Sequence, residues 1–115
     1  LERLISEVRG AGGVNAASSV LGTDPGRLVL DTTDGNGVAT TMDFYLFNNV
    51  LMLKEGSNVA ASTTSARVKV DNLVFRQINT AESSAVKVEM TLSASRGTVN
   101  KIAKFYTTAV LRGSY

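Results

Sequence analysis

Apolar and polar positions follow two rhythms along this chain, one near its start and another over the rest. Leu1, Leu4, Ile5 and Val8 recur at helical spacing, with Glu2, Arg3, Glu7 and Arg9 between them. This pattern predicts an amphipathic helix over residues 1–10, stopped by Gly12-Gly13. No N-cap residue opens the helix, so it reads as the C-terminal part of a longer one. Arg3 and Glu7 stand one turn apart and are expected to pair on its solvent side.

From Arg27 onward the period is two. Asn15 to Leu21 reads as a small, polar connection, and Thr23-Asp24-Pro25-Gly26 as a turn. Strands are predicted over 27–32, 38–47 and 50–54, the last two joined at Asn48-Asn49. Asparagine tolerates the positive φ that a type I′ hairpin demands. Counting outward from that turn pairs Phe47 with Val50, Leu46 with Leu51, Tyr45 with Met52, Phe44 with Leu53 and Asp43 with Lys54. Phe44, Leu46, Leu51 and Leu53 then share a core face. A polar loop follows over 56–64. Over 66–78, Val68 and Val70 differ in parity from Leu73 and Phe75; one extra residue near Asp71-Asn72 restores a common face, as a β-bulge does, the alternative being that the segment bends or changes sheets there. The segment 85–94 alternates cleanly, with Val86, Val88, Met90 and Leu92 inward and Lys87, Glu89 and Thr91 outward. A final strand is predicted over 104–112, with Phe105, Ala109 and Leu111 on its inner face. One helix followed by about six strands is an α+β class, the N-terminal helix packed on an antiparallel β-sheet. With 115 residues the chain makes a single domain, 1–115, whose sheet region spans 27–112.

Composition narrows the function. Hydrophobic residues make up 43%, enough for a core, and the formal charge is only +2. Cys and His are both absent, which removes disulfides, thiolate metal sites and the commonest general base. Carboxylates are scattered, no Gly-rich phosphate loop follows a strand, and a Ser–Lys dyad is the only nucleophile pairing on offer. The chain therefore reads as non-enzymatic, with no cofactor and no small-molecule substrate. The candidate metal site is Asp31, Asp34 and Asn36, oxygen donors around two glycines that a calcium loop could use. The spacing is not that of an EF-hand, and a Gly-rich hairpin turn accounts for the same residues. Tyr45, Phe47 and Tyr106 are candidates for an exposed aromatic patch. Arg67, Lys69 and Lys87 are candidates for a basic face, but Asp71 and Glu89 alternate with them, which disfavours nucleic acid.

Helix tail, small-residue loop, Gly turn and meandering strands come in the order of type IV pilin-like heads. Leu51-Met52-Leu53-Lys54-Glu55-Gly56, Val68-Lys69-Val70-Asp71-Asn72-Leu73-Val74-Phe75, and Val86-Lys87-Val88-Glu89-Met90-Thr91-Leu92 followed by Phe105-Tyr106-Thr107-Thr108-Ala109-Val110-Leu111-Arg112 are similar to that family. The chain thus resembles the pilin-like head of a prepilin-type protein, including the minor pseudopilins of type II secretion. The resemblance implies a structural subunit of a type IV pilus-like or pseudopilus filament, whose partners are other pilin or pseudopilin subunits. It implies an extracytoplasmic domain, anchored in the inner membrane by an apolar helix upstream of Leu1 before assembly. It would then enter a periplasmic or cell-surface filament. Some major pseudopilins use a calcium loop, which the Asp31, Asp34 and Asn36 turn resembles. The alternative is a free-standing extracellular β-rich binding or adhesin module.

Overall fold

A computed structural model describes residues 2–63, 68–81, 83–96 and 98–111. Strands dominate it. After the helix α1 (Glu2–Gly10) come β1 (Gly13–Val14), β2 (Leu28–Thr33), β3 (Ala39–Phe47), β4 (Val50–Glu55), β5 (Ala61–Ser62), β6 (Val68–Asn79), β7 (Ser84–Arg96) and β8 (Val99–Val110). They form two separate antiparallel sheets, ordered β1-β2-β3-β4-β5 and β6-β7-β8.

This corrects the expected α+β class. The fold is mostly β, with two antiparallel sheets and one short helix, and it is not a pilin-like head with a long N-terminal helix laid on one sheet of about six strands. The physical reason lies in the lengths. The helix has nine residues and buries only Leu4 and Val8, too little to form a layer of its own. By contrast β6, β7 and β8 run for 12, 13 and 12 residues. Leu4, Val8 and Ala11 join one core with Phe44, Leu73 and Val88, yet the strand that α1 approaches most along its length is β8, not the Phe44–Leu53 region expected to cover it. Leu1, which the helical stripe included, lies outside the described residues, as do Ala66, Arg67 and Arg112.

Local chemistry sets the registers. Asn48 and Asn49 have φ of 49° and 62°, the left-handed pair that a type I′ turn needs. The β3–β4 register then follows the predicted pairs, from Phe47↔Val50 to Asp43↔Lys54. Phe44, Leu51 and Leu53 are buried, and Leu46 packs partly buried against them. In β6 the register shifts between Val70 and Asn72, the bulge that brings Val70, Leu73 and Phe75 to the same core. Val86, Val88 and Met90 of β7 are buried. Lys87, Glu89 and Thr91 are half-buried rather than fully exposed, because Glu89 receives both Arg76 and Lys87 across that face. Arg3 pairs with Glu7 at 2.8 Å and also reaches Glu55 of β4.

The sheets meet at β6. Among the described residues no strand pairs its outer edge; the turn over 22–26 and the β3–β4 hairpin fill that place. Gly22 N–H donates to Phe75 O at 2.7 Å and Gly26 N–H to Leu73 O at 2.8 Å, while Asp24 Oδ1 accepts from Leu73 N–H at 2.8 Å. Lower down, Val70 N–H donates to Asn49 O at 2.8 Å, and Asn49 Nδ2 donates to Val70 O at 3.1 Å. Gly26 is buried in this contact: a Cβ there would sit 2.9 Å from Phe75 Cδ2 and 3.1 Å from Leu73 O. Gly26→Ala should therefore cost about 1–3 kcal/mol by overpacking against backbone, whereas Gly35→Ala, with open space around it, should cost well under half as much. Urea unfolding of the two variants checks this, and equal losses would show that the turn does not press on β6.

Candidate functional site

Beside that turn lies a structured polar site. Because Leu28 pairs with Phe44 and Val29 with Asp43, Arg27, just before β2, falls diagonal to Asp43. Arg27 is fixed there by a bridge to Val20, with N···O distances of 2.8 and 3.1 Å. Its guanidinium grips Asp43 with both prongs, Nε on Oδ1 at 2.9 Å and a terminal nitrogen on Oδ2, the bidentate geometry in which Arg holds carboxylates best. Its Cζ lies 5.9 Å from the centre of the Tyr45 ring, within range of a cation–π contact. The hydrogen bond to Asp43 raises the pKa of Arg27 above its ordinary value against the opposing effect of burial. Asp43 is only 7% exposed although it is charged. Sequence reasoning placed Asp43 opposite Lys54. The structure keeps that register but gives the carboxylate to Arg27, a partner 16 residues away that no hairpin count reveals.

Val20, Pro25, Gly26, Tyr45, Leu46 and Lys54 complete a cleft of about 420 Å³ around the pair. Its chemistry is that of a clamp. The nearby Ser19 hydroxyl donates to Asn15 O at 2.7 Å and accepts from Val29 N–H at 2.9 Å, and Asn15 Oδ1 accepts from Ser18 N–H at 3.2 Å. These bonds fold residues 15–20 along β2 and leave the hydroxyl committed to backbone.

The candidate calcium residues take other roles. Asp34 Oδ1 accepts from Asn36 N–H at 2.8 Å and Val38 N–H at 3.0 Å, and Gly37 turns the chain at φ +78°. Asp31 belongs to β2, opposite Thr41, where its carbonyl accepts from Gly12 N–H at 2.8 Å. Among the described residues, no group of three or more His, Cys, Asp or Glu stands close enough to hold a metal. The aromatic candidates divide: Tyr45 and Phe47 are on β3 of the first sheet, and Tyr106 is on β8 of the second. Of the basic candidates, Lys69 and Lys87 lie on β6 and β7, where Glu89 answers Lys87 at 3.5 Å.

Comparison of the chain with models of known protein families, with curated proteins and with solved structures finds no match.

Two measurements test these assignments. Arg27→Met leaves Asp43 buried without its main partner and should destabilise by about 2 kcal/mol, while Arg27→Met with Asp43→Leu should recover more than half of that. A cycle of urea midpoints reads the difference, and a neutral single variant would show the clamp to be idle. For the turn at Asp34, melting in chelator and in millimolar calcium should coincide, and Asp34→Ala should cost about 1 kcal/mol for its two amide bonds. A calcium-dependent rise in melting temperature that Asp34→Ala abolishes would reassign the loop to the ion.

Proposed function

We propose that the chain is a non-catalytic structural subunit of an extracytoplasmic filament of the type IV pilus-like or type II secretion pseudopilus kind. Its partners would be other pilin or pseudopilin subunits, and it would be held at the inner membrane before assembly by a segment upstream of Leu1. The resemblance of those blocks supports this reading, and within the described residues they fall largely on β4, β6, β7 and β8. The observation that carries an assembly role is the distribution of exposed apolar side chains. Phe47 is 62% exposed, Ile102 73% and Tyr106 61%, and Val38 and Val99 also face solvent. Apolar residues exposed at both ends of β3 and along the edge strand β8 are surface that a neighbouring subunit can cover. No helix among the described residues is long and apolar enough to cross a membrane.

The native chain has no Cys, so single cysteines report neighbours cleanly. With Phe47→Cys and Ile102→Cys introduced into the complete gene in its own host, oxidation in cells should give a ladder of disulfide-linked multimers in the membrane or sheared-filament fraction. Cross-links confined to monomer, together with release of the protein as a free extracellular species, would replace the filament by the adhesin-type binding module.

A further inference from the structure

Among the described residues most long strand edges are closed, and β8 is the exception. Turn 22–26 and Asn49 fill the outer edge of β6. Strand β1 and the segment 15–20 fill that of β2. On β8 the backbone alternates in its direction. Leu111 N–H donates to Ser84 O, so the odd-numbered residues of β8 bond to β7, and the even residues from 100 to 110 turn their N–H and C=O groups outward. Among the described residues none takes up those outward groups. This is a row of donors and acceptors over a strand of 12 residues, which is the template a β-strand from outside can extend.

The side chains along the edge specify what fits. Residues 99–110 carry Lys101 and Lys104 and no acid, and neither lysine has an acidic partner among the described residues. Ile102 and Tyr106 flank Lys104 on the outer face, both largely exposed. On the inner side, Phe105 and Ile5 line a cleft of about 450 Å³ between α1 and β8, with Glu2, Ser6 and Arg9 at its walls. A two-fold pairing of β8 with its own copy would crowd the lysines of both chains together, which disfavours it.

We infer that the β8 edge is a docking site for an extended acidic strand of a partner protein, added antiparallel. Carboxylates of that strand lie opposite Lys101 and Lys104. Its residues opposite Ile102 and Tyr106 are apolar, and the apolar side chain opposite Phe105 enters the cleft beside Ile5. Main-chain bonds to the even residues give affinity, and the alternating side chains give register.

The test uses the purified chain of 115 residues and does not depend on its entering a filament. A fluorescent peptide, acetyl-Thr-Thr-Val-Leu-Glu-Thr-Val-Glu-amide, is titrated by anisotropy beside its counterpart with Lys in place of Glu. The acidic peptide should bind at least about tenfold more tightly, and Lys101→Glu with Lys104→Glu should reverse that preference. Thr108→Pro removes one outward N–H without touching the β7 ladder or either lysine, so it should keep the circular dichroism of the parent and lose about tenfold in affinity. N-methylation of the peptide amides that face β8 must cause a similar loss, and it leaves the protein untouched. Absence of binding, or binding that survives N-methylation, overturns the inference. So does self-association of the parent chain that Thr108→Pro dissolves, since it would make a second copy the occupant.

Discussion

The two sheets share no strand, and what makes them one body is the sealing of the outer edge of β6. Five hydrogen bonds of 2.7–3.1 Å run from Val70, Leu73 and Phe75 to Gly22, Asp24, Gly26 and Asn49. Those β6 residues also send their side chains into the common core. The coincidence follows from antiparallel geometry. A residue whose N–H and C=O face away from β7 on one side of the bulge would have the wrong parity on the other, and the extra residue between Val70 and Asn72 restores it. Without the bulge either the side chains or the edge groups would miss their partners. A buried, unpaired backbone group costs about 1–3 kcal/mol, so the register of β6 is bound to the placement of the first sheet.

The stitch itself is held from the side of the first sheet. Residues 20–27 are anchored by the Val20–Arg27 bridge, and Arg27 is anchored to β3 through Asp43. From there the turn projects Asp24 and Gly26 onto Leu73. A half-exposed arginine held on a buried carboxylate thus acts on the contact between sheets, through a turn short enough to transmit the position of Arg27. Among the described residues, every buried side-chain nitrogen or oxygen has a partner, so Asp43 sits in the interior without an open valence.

Much of this was legible from local pattern. The hairpin at Asn48-Asn49 fixed its register by turn chemistry, and the parity slip before Leu73 announced the bulge. The helix stripe and the Arg3–Glu7 pair also follow from spacing alone. The partition into two sheets was not legible, because alternation tells which face of a strand is buried and says nothing about which strand lies beside it. Thr23-Asp24-Pro25-Gly26 reads as a turn on its residues, whereas its contribution is a tertiary one to β6. The early part of β8 was missed for another reason. Val99, Asn100, Lys101, Ile102 and Ala103 are all exposed, so no buried face imposes a period of two on them, and only pairing with β7 makes them strand. At the candidate sites, oxygen donors near glycines fit a metal loop and an Asp-centred turn alike, and the amide bonds to Asp34 are visible only in three dimensions.

That exposed stretch also explains why β8 differs from the other long strands. A strand covered on one face by core and on one edge by a neighbour still has two surfaces to satisfy. In β6 the turn and hairpin satisfy the second edge. In β8 the corresponding groups have no backbone partner among the described residues, and the residues that would blunt such an edge, Lys101 and Lys104, do so by charge and not by blocking its hydrogen bonds. Charge excludes a like-charged strand and admits an opposite one, whereas proline or a covering loop would exclude both. Val99–Val110 contains no proline, and Ile102 and Tyr106 leave apolar area beside the lysines. The edge is therefore selective in its physics: lysine repulsion disfavours pairing with its own copy, and a strand that brings carboxylates is complementary to it.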